Sequence, residues 1–335
     1  MTSVRRLFAF ASTLLLLFTT SIAGRAAAPD RMRDLLPDLT IDSTRITAAA
    51  NTTLRALPSA TAAAVAQLPL GTELTDAGPV GLDKTWLRVK VADGREGWIV
   101  ANLTKPLDPN WRWPTFDRII ADRLGRKGDS FPALSELVAF IERVAPEYSD
   151  PDGRARVELS RLRATAAAAA VIPFKGGTRD PYASWLNSRK TDVFYDDPRG
   201  AWMLSDRPIW AVHARAGSSP ITDDIAWFAV TNGLGGECEG YLPCYISWRN
   251  RLQGEYLRLH PGGKHAEEAV GLVKETVDRL GPPIKPAEAY QFDQATDCRE
   301  FTASMDALTA AVKGTRVASR DATLASLSTL RQICK

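Results

Sequence analysis

The stretch TWLRVKVADGREGWIV, Thr85 to Val100, decides how the N-terminal third of this chain folds. Apolar and polar side chains alternate along it. Leu87, Val89 and Val91 fall on one side; Trp86, Arg88 and Lys90 fall on the other. That two-residue period belongs to a strand with one buried face. Asp93-Gly94 interrupts the alternation with a residue pair that tolerates the positive φ of a tight hairpin turn. The spacing predicts a β-hairpin.

Upstream, from Ile41, the texture is the same. ITAAANTTLRALPSATAAAVAQLPLGTELTD reads as short strands divided by turns at Pro58-Ser59 and Leu70-Gly71. In order, Arg55-x-x-Pro58-Ser59, the Leu70-Gly71-Thr72 turn, Trp86 ahead of a strand and Gly97-Trp98-Ile99 resemble the bacterial Src-homology-three-like domain. The resemblance covers residues 41–107. A run of small residues, Ala60 to Ala66, stands where that family often carries polar ones. The resemblance implies a small all-β barrel, without catalysis of its own, that serves as an envelope or cell-wall binding module. It makes Trp86 and Trp98 the candidate ligand-binding residues.

Beyond Leu107 the period changes, and residues 108–335 read as a mainly α-helical domain. Leu134, Leu137, Val138 and Ile141 recur at helical spacing, and Pro146 closes that segment. Ala155, Leu159, Leu162 and Ala166 repeat in the next, which predicts a helical hairpin. Asp192–Leu204 reads as strand-like with a turn at 197–200. Asp206–Ala216 reads as helix, as does DDIAWFAVTNGL up to Gly233. A clear helix pair follows, about Ile246–His260 and Ala266–Leu280, with Pro261-Gly262-Gly263 between and Gly281-Pro282-Pro283 as the stop. EYLRLHPGGKHAEEAV resembles one tetratricopeptide-type helix joint, without a fixed-period repeat elsewhere. Two tail helices, Arg299–Lys313 and Ser319–Ile333, complete the chain.

The first residues set the expected compartment. Arg5-Arg6, the apolar run Leu7–Phe18 and the small residues Ser21 to Ala23 have the layout of a secretory signal peptide. About a dozen apolar residues fall short of the ~20 that span a bilayer. Residues 1–23 are therefore read as a cleaved leader, 24–40 as a flexible lead-in, and the protein as exported, periplasmic or extracellular, without stable membrane insertion after cleavage. Of 42 basic and 39 acidic residues, the leader holds two arginines and no acids, so 40 face 39 after cleavage. That balance gives no nucleic-acid signature.

Four cysteines, Cys238, Cys244, Cys298 and Cys334, are an even count that favours disulfides in an exported chain. Cys298 precedes the first tail helix and Cys334 ends the second. Antiparallel packing of those helices brings them together and leaves Cys238 for Cys244.

Other chemistry finds little support. Three histidines, His213, His260 and His265, and a Cys-x5-Cys spacing suit neither a zinc site nor a Cys-His pair, since no histidine follows Cys298. There is no Gly-x-Ser-x-Gly elbow and no phosphate loop, so no cofactor, no metal and no catalytic residue are expected. Trp111 and Trp113 are read as packing between the two modules, with an aromatic platform as the alternative. Trp185, Trp202, Trp210, Trp227 and Trp248 are read as core. The expectation is an exported envelope protein that binds a cell-wall component, a peptide or an envelope protein. The alternatives are a cell-wall hydrolase using acids near Glu237 and Glu239, and a helical assembly scaffold.

Overall fold

A computed structural model describes residues 44–77, 85–174, 176–281 and 291–334. The expected leader and lead-in, and Pro282-Pro283, lie outside the described residues. Seven strands form one antiparallel sheet: β1 (Thr44–Thr47), β2 (Thr52–Arg55), β3 (Ala64–Leu68), β4 (Glu73–Asp76), β5 (Trp86–Val91), β6 (Glu96–Val100) and β7 (Thr104–Pro106). The order is β3-β2-β6-β5-β4-β1-β7. The hairpin read from the alternation is β5–β6, paired from Trp86 opposite Val100 to Lys90 opposite Glu96. Gly94 holds its turn at φ +88°.

The expected barrel does not close. No ladder among the described residues joins β3 to β7, so the sheet stays open. Two apolar clusters explain this. Leu54, Leu68, Leu74, Leu87, Val89 and Ile99 fill the inside of the curved sheet. Ile46, Leu70 and Leu107, from the β1–β7 side, pack instead with Phe116, Leu137 and Phe140 of the helices. Helices cover the apolar surface that closure would otherwise bury.

Two glycines of the hairpin-rich region are required by close approach. A Cβ on Gly97 would lie 2.6 Å from the Arg55 carbonyl oxygen, where β6 crosses β2. Gly71 has φ +77°, and a Cβ there would lie 2.5 Å from Cε2 of Phe140 and 2.7 Å from Nη2 of Arg143. That corner joins sheet to helices. The Leu70 N–H donates to Glu136 Oε1 (2.5 Å), and Arg143 Nη2 donates to the Leu70 carbonyl (2.6 Å).

The helical region begins earlier than its periodicity indicated. Helix α1 (Trp113–Leu124) has Pro114 in its first turn, where a missing N–H costs nothing. Helices α2 (Phe131–Val144) and α3 (Pro151–Ala170) are the expected pair. Asp150 caps α3 by accepting from the Gly153 N–H. A short helix α4 (Tyr182–Asn187) precedes the hairpin β8 (Val193–Asp196) and β9 (Ala201–Leu204). Then come α5 (Asp206–Ala216) and α6 (Thr222–Asn232), the latter ended by Gly233 at φ +76°.

The first member of the clear helix pair is one continuous rod with an insertion. Helix α7 (Leu242–Arg249) runs through a π-turn (Asn250–Gly254) into α8 (Glu255–Leu259). Its partner α9 spans Ala266–Leu280, as the sequence predicts. The tail helices are α10 (Gln294–Lys313) and α11 (Arg320–Arg331). Their shared core holds Val273, Val277, Phe301, Met305, Leu308 and Leu327. All the described residues belong to one compact unit. Among them, no helix is long and apolar enough to cross a membrane.

Candidate functional site

Trp86 and Trp98 lie together on the outward face of the sheet. Strand β5 alternates buried Leu87, Val89 and Val91 with outward Trp86, Arg88 and Lys90. Strand β6 buries Gly97 and Ile99 and turns Trp98 outward. Trp98 stands opposite Arg88 on β5 and Arg55 on β2, so one row reads Arg55, Trp98, Arg88. Trp86 is its diagonal neighbour, opposite Val100; such positions sit ~7–8 Å apart, within reach of one ligand.

The face is cationic as well as aromatic. Arg88 Nη2 pairs with Glu96 Oε2 at 3.1 Å, and Lys90 Nζ approaches Oε1 of the same residue at 3.8 Å. Arg55 Nη1 donates to the Ala62 carbonyl (2.7 Å), which fixes the guanidinium beside the β2–β3 turn. Arg88 and Lys90 therefore share Glu96, while Arg55 is held by a backbone carbonyl. Both tryptophans are half-buried.

Trp111 and Trp113 do not pack between sheet and helices as read from the sequence. They are 60% and 40% exposed and meet each other edge to face, with centroids 5.5 Å apart. The residue between them does the joining. Arg112 reaches Glu73 at the start of β4 and Glu147 after α2 (3.1 Å to Glu147), with its guanidinium over the Phe116 ring. A side chain pulled inward at the start of α1 leaves its two neighbours facing out.

No family model, no curated protein and no solved structure matches this chain.

The cysteines pair as the helix geometry predicts. Cys238 and Cys244, and Cys298 and Cys334, each bring their Cα atoms to 5.5 Å, and no described cysteine is free. One placement differs from expectation: α10 starts at Gln294, so Cys298 lies inside the helix. Asp293 explains the earlier start, since its side chain caps the helix by accepting from the Ala295 N–H. The two staples are linked. Tyr241, within the Cys238–Cys244 loop, donates its hydroxyl to Asp297 beside Cys298 (3.0 Å). Glu237 and Glu239, the acids of the hydrolase alternative, are both exposed.

The one constellation that sequence spacing did not show is histidine-rich. All three histidines converge near the α8–α9 joint. Nε2 of His213 on α5 and Nε2 of His260 stand 3.0 Å apart, so one ring donates to the other. His265 stacks on Trp227 with centroids 4.6 Å apart. The Tyr256 hydroxyl donates to Asp223 Oδ1 (2.9 Å) and accepts from the His265 N–H (3.0 Å). Burial lowers both His213 and His260 below the ordinary imidazole range, and each ring's neighbours add to or oppose that. His260 lowers His213 further, Glu255 raises it, and Asp223 raises His260. Burial also pushes the Tyr256 hydroxyl well above its ordinary range. Among the described residues, no group of three or more His, Cys, Asp or Glu side chains is placed to hold a metal ion. The cluster ties α5, α6 and the α8–α9 joint together through hydrogen-bonded and stacked rings.

Proposed function

We propose that this protein is an exported envelope-binding protein whose N-terminal sheet holds an acidic glycopeptide polymer of the cell wall against Trp86 and Trp98. The observation that supports this is the row Arg55, Trp98, Arg88 with Trp86 beside it, on the outward face of the sheet. Indole faces stack on the apolar faces of sugar rings. The surrounding guanidinia take the carboxylates of peptide stems. In this reading the domain is of the bacterial Src-homology-three-like kind, with one side of its sheet given over to the helices. The helical region then serves as the rigid body that carries the binding face, and no catalytic role is assigned to it.

Two disulfides are compatible with an oxidising, exported location. The test is cosedimentation of the full chain with purified peptidoglycan sacculi across a salt series. Retention that falls as salt rises supports a face that works by cations plus stacking. No retention at low salt removes the reading.

A further inference from the structure

A cavity of about 240 Å³ lies where β8–β9, the end of α6, the π-turn and α9 meet, lined among others by Arg199, Trp248, Arg249, Gln253, Thr276 and Arg279. Its composition is unusual in three respects. First, it gathers three guanidinia. Arg199 is partly matched by Asp196 at 3.4 Å. Among the described residues, no carboxylate comes within ion-pair distance of Arg249 or Arg279. Arg249 Nε donates instead to the Thr276 hydroxyl (2.7 Å).

Second, Gln253 lines the cavity at 2% exposure, and its Oε1 has no hydrogen-bond partner. A buried polar atom left unpaired costs about as much as a lost hydrogen bond, so its place here calls for a donor. Third, Gln253 belongs to the π-turn, an insertion that turns side chains out of α-helical register and recurs at functional sites. Burial and the neighbouring Arg279 both hold Arg249 below its ordinary range, with Glu275 opposing them. Arg249 is half-buried, so it loses part of its hydration beside a second guanidinium, with no carboxylate among the described residues paired to either.

We propose that this cavity binds a small oxyanion, a carboxylate or a phosphate, on a compact ligand that also carries a hydroxyl or amino group. Arg249 and Arg279 take the anion, and Gln253 accepts from the ligand's donor. The volume falls below the ~300–1,000 Å³ typical of larger ligand pockets, which restricts the ligand to a few heavy atoms beyond the anionic group. Trp248 and Tyr245 supply the remaining wall. This site is separate from the sheet face and does not depend on its role.

The test is calorimetry and thermal melting of the full chain with inorganic phosphate, malate and succinate, against chloride at equal ionic strength. Saturable binding of phosphate, of malate or of both upholds the oxyanion site, and the responding probe identifies the anion. Malate should bind more tightly than succinate, which lacks the hydroxyl. Arg279→Gln, at an exposed position, should weaken binding about tenfold or more through loss of a charge-assisted hydrogen bond. Arg249→Gln should do the same. No saturable response to any probe, or unchanged affinity in Arg279→Gln, overturns the site. Equal affinity for malate and succinate overturns the role given to Gln253.

Discussion

Replacing Gly71 by alanine tests how the sheet is fastened to the helices. Two costs add at this position. The backbone sits at φ +77°, which an L residue adopts at a cost of ~1–2 kcal/mol. The new Cβ would then lie 2.5 Å from Phe140 Cε2 and 2.7 Å from Arg143 Nη2. Phe140 is fully buried and packs edge to face on Phe116, so it cannot swing away without disturbing that core. Overpacking of this kind costs ~1–3 kcal/mol. The sum is about 2–5 kcal/mol, which at roughly 2–4 °C per kcal/mol lowers Tm by about 4–20 °C. Gly94→Ala supplies the comparison. Its φ is +88°, but a Cβ there meets nothing within 4 Å, so only the backbone cost applies. Scanning calorimetry on both variants separates the two contributions. Equal Tm losses would refute the claim that Gly71 is held by contact with α2.

Three further outcomes follow from the same geometry. His213 and His260 are held below their ordinary pKa, so the unfolded chain takes up protons first as pH falls. Their contribution is fully present above about pH 6.5 and is lost as pH drops through the imidazole range. Melting curves from pH 7.5 to 5 should show a shallower fall for His260→Gln than for the parent chain, whereas parallel curves would contradict the pairing. Removing Cys298–Cys334, which closes a separation of 36 residues, should cost about 4 kcal/mol; removing Cys238–Cys244, with a separation of 6, about 2 kcal/mol. Urea titration of the paired alanine variants measures both, and a reversed order would show that the short staple does more than stiffen its loop. Gly97→Ala should lower Tm in a circular-dichroism melt, because its Cβ would lie 2.6 Å from the Arg55 carbonyl oxygen and 2.8 Å from Leu54 Cγ; a parent-like Tm would contradict the close approach of β6 to β2.

The hairpin was legible because one buried face imposes strict alternation from Trp86 to Val91. Helix α9 was legible to the residue, since its apolar stripe runs unbroken between a Pro-Gly-Gly turn and Gly281. The cysteine pairing followed from two tail helices whose antiparallel packing brings the start of one beside the end of the other. What escaped was set by contacts distant in sequence. Helix α1 is the exception: Phe116, Ile119, Ile120 and Leu124 stand at helical spacing and announce it. The π-turn leaves no mark in the spacing of α7 and α8. Barrel closure depended on whether Ile46, Leu70 and Leu107 met strands or helices, which local pattern does not encode. The outward direction of Trp111 and Trp113 was decided by Arg112 reaching inward to Glu73 and Glu147. His213 and His260 are 47 residues apart and meet only because α5 packs beside the α8–α9 joint.

The measurement closest to the central claim is the dissociation constant of the full chain for purified peptidoglycan sacculi, compared with Trp86→Ala and Trp98→Ala variants that keep the parent's circular dichroism. Truncating an indole at the centre of a binding face typically costs 2 kcal/mol or more, about thirtyfold in affinity. Both variants should lose binding on that scale, while Trp111→Ala retains it. Parent-like affinity in Trp98→Ala would contradict the assignment of the sheet face.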